Sequence, residues 1–116
     1  MGSILRIVQR EDPIRKIEHQ MINAIIGRND WKSGNTKVCT TSEGYTHVYL
    51  HNNHIATVSD NGITLYDGGW QSNTTKSRLN AILFAFFETV RVFQKDFQWF
   101  ISDGTPVPFQ NGYEVV

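Results

Sequence analysis

A chain of 116 residues has material for one hydrophobic core and not for two, so a single domain spanning residues 1–116 is expected. Lys and Arg number 11, as do Asp and Glu, and this neutral balance argues against bulk binding of duplex nucleic acid through many phosphate contacts. A small anionic ligand needs only a local patch and stays open. The single cysteine, Cys39, excludes an internal disulfide and suits a reducing compartment. Set mid-strand beside Val38, it reads as a buried structural thiol rather than a nucleophile. No apolar run reaches the roughly 18 residues that span a bilayer, and the N-terminus has no hydrophobic signal core, so no membrane association is expected.

Ile4 to Val8 reads as a short strand or ordered arm. Asp12-Pro13 then reads as N-cap plus first helical position. Ile14, Ile17, Met21, Ala24 and Ile25 recur at helical spacing up to a stop at Gly27, with Arg15, Lys16, Glu18, His19 and Gln20 mostly outward. A polar loop from Asn29 to Asn35 holds Trp31. Four strands follow, Thr36–Thr41, Tyr45–His51, His54–Ser59 and Ile63–Tyr66, separated by turn chemistry at Ser42-Glu43-Gly44, Asn52-Asn53 and Asp60-Asn61-Gly62. A second helix, about Thr75 to Val90, carries one apolar stripe (Leu79, Ile82, Leu83, Phe86, Val90) and a second from Phe84 and Phe87. A helix apolar over so much of its surface must be covered on more than one side, by the sheet or by another subunit. Two strands, Arg91–Gln94 and Phe97–Ile101, flank a Lys95-Asp96 turn, and a tail with Pro106 and Pro108 runs irregularly. The expected fold is α+β: an N-terminal helix, an antiparallel meander of about four strands, a central apolar helix and a C-terminal β-hairpin.

The segment Gly68-Gly69-Trp70-Gln71-Ser72-Asn73-Thr74-Thr75-Lys76-Ser77-Arg78-Leu79-Asn80 is the most informative. Two glycines free the backbone, a tryptophan follows where chain usually faces water, and three N-cap residue types announce a helix. Lys76 and Arg78 then put cations where unpaired N–H groups already concentrate positive potential, an arrangement suited to a phosphate. Trp70 stands ready to stack on a base, with Thr74 and Thr75 beside it. In the competing structural role, Arg78 pairs with a carboxylate such as Asp67 and pins the glycine loop. Asn80 is expected to tie the preceding loop to the helix.

Alternation along Tyr45–His51 places Tyr45, His47, Tyr49 and His51 on one strand face. With Asn52-Asn53 as a two-residue turn, His51 and His54 become cross-strand neighbours, yet no Asp or Cys is placed to complete a metal site. Tyr49 and His51 are therefore read as a planar rim for a ligand, unless the helices or a partner subunit cover them. Nucleophile-elbow, zinc-protease and phosphate-loop patterns are absent, so neither catalytic residues, metal nor cofactor is expected.

His54-Ile55-Ala56-Thr57-Val58 through Trp70, Thr74-Thr75-Lys76-Ser77-Arg78-Leu79-Asn80-Ala81-Ile82-Leu83 and Phe93-Gln94-Lys95-Asp96-Phe97-Gln98-Trp99-Phe100 resemble small proteins of tailed bacteriophages with a Gly-Trp turn and a Thr-Thr-x-Ser-Arg-Leu-Asn helix start. Size, α+β content and the helix start also resemble phage anti-defence sponges that sequester the cyclic nucleotides of Thoeris-type immunity. The resemblance implies a non-enzymatic anti-defence protein in the host cytoplasm. It carries over no ligand residues. The helix-start and strand-face readings themselves supply Trp70, Thr74, Thr75, Lys76, Arg78, Tyr49 and His51 to hold a linear or cyclic nucleotide. The two apolar stripes of the second helix, with the Tyr/His face, point to a homo-oligomer. The alternatives are a protein-binding inhibitor of a host defence complex, of the anti-CRISPR kind, and a small nucleic-acid-binding module.

Overall fold

The computed structural model describes residues 14–116, so the arm at Ile4 to Val8 and the Asp12-Pro13 cap lie outside the described residues. Helix α1 (Lys16–Gly27) turns Met21, Ile22, Ala24 and Ile25 inward and ends at Arg28, which takes the left-handed conformation itself. Five strands then form a meander: β1 (Trp31–Ser33), β2 (Thr36–Thr40), β3 (Thr46–Leu50), β4 (Asn53–Ser59) and β5 (Gly62–Leu65). Helix α2 (Asn73–Phe86) follows, then β6 (Arg91–Lys95), β7 (Gln98–Ser102), β8 (Pro106–Pro108) and β9 (Tyr113–Val115). The result is α+β, with two helices among the described residues and two antiparallel sheets, one of six strands in the order β1-β2-β3-β4-β5-β9 and one of three in the order β6-β7-β8.

The expected outline is corrected at three short strands, supported by pairing rather than by pattern, and at two turns. The loop around Trp31 is strand β1, held by Trp31 opposite Val38. The tail contributes β8, which pairs β7 through prolines at a sheet edge, and β9, which closes the larger sheet against β5. Gly62 allows that closure, because a Cβ there would collide with the Val115 carbonyl oxygen. The β3–β4 turn is His51-Asn52, both at positive φ, so Tyr49 rather than His51 faces His54. The C-terminal hairpin likewise turns at Asp96-Phe97, with φ of 53° and 65°.

The inner face of the larger sheet (Val38, Val48, Leu50, Ala56, Ile63, Leu65, Val115) packs with α1 and α2 in one core. Helix α2 meets α1, β4 and β6. The smaller sheet adds Val92, Trp99 and Ile101 to the same core, so a second sheet of this chain covers the helix's extra apolar surface. Phe86 stays partly exposed.

Glu18, expected outward, is buried between the helices at 1% exposure, and Arg78 meets it there at 3%. The carboxylate accepts three donors: Arg15 N at 3.0 Å on Oε1, and Ser77 Oγ at 2.6 Å and Arg78 Nη1 at 2.8 Å on Oε2. The guanidinium also donates to Thr36 Oγ1 at 3.0 Å and to Asn35 Oδ1 at 3.3 Å. Asn80 ties α2 to the strand that follows it rather than to the loop before it. Its Nδ2 donates to Val92 O at 2.8 Å and its Oδ1 accepts Val92 N at 2.7 Å, as a neighbouring strand would.

Removing one partner of a buried, hydrogen-bonded ion pair leaves a charge without compensation. Arg78→Met should therefore lower unfolding free energy by about 3–5 kcal/mol, measured by urea titration, and adding Glu18→Leu should recover part of the loss. Asn80→Ala should cost about 1–3 kcal/mol through the two orphaned Val92 groups. Wild-type stability in either single variant would contradict these roles.

Candidate functional site

Strand β5 runs out through Tyr66 into a loop fixed by its own polar groups. Asp67 Oδ1 accepts Gly69 N at 2.7 Å, and Asp67 N donates to Asn111 Oδ1 at 2.7 Å. Gly68 and Gly69 both have positive φ, and a Cβ on Gly68 would press on Ile55 and Asn53. The chain then reverses into α2, where Ser72 is the N-cap and accepts Thr75 N at 3.1 Å. Thr75 Oγ1 donates back to Trp70 O at 3.3 Å. This geometry leaves the Trp70 side chain 74% exposed.

Trp70 stands on the wall of a cavity of about 390 Å³ between the β3–β4 turn and the start of α2. His51, Asn53, Asp67, Ser72, Thr74 and Thr75 line it, with Leu50 and Ile55 as apolar floor. Four of the seven residues expected at the site, Trp70, Thr74, Thr75 and His51, thus share one cavity. The other three lie elsewhere. Lys76 reaches toward Gln94, Nζ to Oε1 3.4 Å, and lines a different cavity of about 570 Å³ with Arg15 and Arg91. Arg78 is buried, its donors engaged by Glu18, Thr36 and Asn35 in place of Asp67. Because each side chain on α2 points by helical phase, the cations four and six residues after the cap turn away from the loop that holds Trp70. The charged group on the Trp70 cavity is the carboxylate of Asp67.

Tyr49 belongs to the other face of the six-stranded sheet, the one the helices leave open. Cross-strand register aligns Lys32, Lys37, Tyr49 and His54 in a row across β1 to β4, and Tyr66 extends it, 4.6 Å from His54 between ring centroids. A second row holds Cys39, His47, Thr57, Thr64 and Glu114. Cys39 is therefore half-exposed on this face, not in the core. The Thr57 hydroxyl bridges two imidazoles, 2.9 Å from His47 Nδ1 and 2.7 Å from His54 Nε2. Sequence reading pairs His54 with His51 rather than with Tyr49 and passes over Lys32, Lys37 and Tyr66, although strand alternation and correct turn placement would find them. Among the described residues no group of three His, Cys, Asp or Glu is placed to hold a metal ion, and no helix is long and apolar enough to cross a membrane.

Residues 14–116 match the family model described as Kyanoviridae Gp96 protein. The chain belongs to this family of tailed-phage proteins. No curated protein and no solved structure matches it.

Burial, then the neighbouring His47, pull the His54 imidazole below its ordinary pKa of 6.5, against a hydrogen bond with the Ala56 backbone. The unfolded chain therefore takes up this proton more readily than the folded one. Stability from this group is fully present above pH 6.5 and is lost as pH falls from there through the folded-state value. His54→Gln should flatten the fall in melting temperature below pH 6.5. An unaltered pH profile would remove His54 as its source.

Proposed function

We propose that this phage protein is a non-enzymatic binder that captures a nucleotide-type host signal in the Trp70 cavity, acting in the host cytoplasm. The observation that carries the reading is the indole itself. A large aromatic ring held 74% exposed beside a cavity with an apolar floor and polar walls contributes little to folding and offers a face for a base. Stacking of this kind contributes about 1–3 kcal/mol per base. The threonine hydroxyls and Asp67 supply acceptors and donors for sugar hydroxyls, and the positive end of α2 would favour an anion beside them. With Asp67 on the wall and no Lys or Arg among the lining residues, the cavity suits low charge density. A cyclic nucleotide, one negative charge per phosphodiester, fits that balance better than a triphosphate. Lys76 would act only at longer range, and Arg78 by holding structure.

A second reading, a protein-binding inhibitor of a host defence complex, draws on Phe97. This side chain is 96% exposed at a hairpin tip, in a left-handed conformation that bulky residues rarely adopt. Exposed aromatics of this type act as interface anchors.

Calorimetry with linear and cyclic nucleotides tests the first reading. Binding tighter than ~100 μM, about −5.5 kcal/mol, is expected, with quenching of Trp70 fluorescence. Trp70→Ala should weaken it at least about fivefold while leaving the melting temperature unchanged. If no nucleotide binds at that concentration, and Phe97→Ala instead abolishes capture of a host protein, the inhibitor reading replaces it.

A further inference from the structure

The open face of the six-stranded sheet carries a charge arrangement the fold does not satisfy. Lys32 and Lys37 sit directly opposite each other on β1 and β2, with side chains on the same face. Like charges so placed repel. Among the described residues neither lysine has a carboxylate partner, and Glu114 lies at the far side of the sheet on β9. Lys37 instead rests over the Tyr49 ring, 4.9 Å from its centroid. From there the row is aromatic: Tyr49 and His54 at 5.5 Å, then His54 and Tyr66 at 4.6 Å, the pairs tilted by 42° and 35°. Among the described residues, two lysines without a carboxylate partner thus lead into three adjoining, half-buried rings on the face away from the helices.

We propose that this face binds single-stranded nucleic acid, with phosphates at Lys32 and Lys37 and unpaired bases on Tyr49, His54 and Tyr66. An anion between the lysines removes their repulsion, and the rings accept bases of any sequence because every base presents a flat face. A duplex keeps its bases stacked on one another and hides those faces. Two lysines also match the neutral chain: they fix a short segment of backbone, whereas duplex binding draws on many more contacts. The site is separate from the Trp70 cavity and does not depend on that reading.

Fluorescence anisotropy with labelled eight-nucleotide oligothymidylate and oligouridylate tests it on the full chain. Binding should weaken with salt at a log–log slope of about −1.4, two phosphates at about −0.7 each. Tyr49→Ala should cost at least about fivefold in affinity, and Tyr49→Phe should retain most of it. Lys32→Gln with Lys37→Gln should flatten the salt slope, and Trp70→Ala should change neither quantity. Circular dichroism confirms that the variants fold. Absence of binding at ~100 μM, or binding lost with Trp70→Ala but indifferent to Tyr49→Ala, would overturn the proposal. So would sedimentation showing a dimer that Tyr49→Arg dissociates, since a second copy would then own the face.

Discussion

The buried pair of Glu18 and Arg78 is the constraint on which the rest depends. Taking two charges out of water costs several kcal/mol each, and the cost is met only when every polar atom finds a partner. Here the partners are four residues from three places in the chain: Arg15 before α1, Ser77 on α2, and Asn35 and Thr36 where the β1–β2 turn enters β2. Satisfying one pair therefore fixes the two helices against each other and against one end of the larger sheet. The connection continues outward, because the Asn35 carbonyl accepts His51 N at 2.7 Å and so holds the β3–β4 turn that lines the Trp70 cavity. A residue that looked like a ligand-binding arginine instead supports the cavity from behind. Its substitution would loosen the cavity wall through the loss of a fixed His51.

Which face of the sheet stays open follows from a local irregularity. Strict alternation along β4 would send Ala56 to the same side as His54. The register shift opposite Val48 and Tyr49 inserts one residue, so Ile55 and Ala56 both turn into the core while His54 and Thr57 share the open face. That bulge brings His54 beside Tyr49 and places Thr57 between two imidazoles. Without it the rings of β3 and β4 would not form one row. The device costs a ladder hydrogen bond and yields a continuous aromatic surface, a trade consistent with bulges near binding sites.

Features governed by local chemistry were legible in the sequence. The α+β class, the two helices, the meander and the cap region of α2 follow from periodicity and turn residues, and Ser72 caps as its type suggests. What could not be read were choices settled by distant partners. Glu18 has the neighbours of a surface glutamate, and only Arg78, 60 residues away, makes its burial tolerable. Strands β1, β8 and β9 have three residues each, too short for a pattern, and exist because β2, β7 and β5 present free edges. The turn at His51-Asn52 is off by one from the expected Asn52-Asn53, and a shift of one residue changes every cross-strand neighbour. The proposed site divides in the same way. Trp70, Thr74 and Thr75 converge because a short loop and one cap dictate their positions, and the β3–β4 turn brings His51 to them, while Lys76 and Arg78 diverge with the phase of the helix.

Side-chain placement then separates what stabilises the chain from what it offers to others. Trp99, the tryptophan that packs on Phe109, is buried at the heart of the smaller sheet's contribution to the core. Trp70 has the same apolar surface and leaves most of it in water, and Phe97 leaves nearly all of its own. Exposing apolar area forgoes roughly 25 cal/mol per Å², and a left-handed Phe97 adds backbone strain of order 1–3 kcal/mol. A small domain has little stability to spare for such placements. Trp70 sits on a cavity wall and Phe97 on a hairpin tip, places where an aromatic group gains little from its own fold and much from a second molecule.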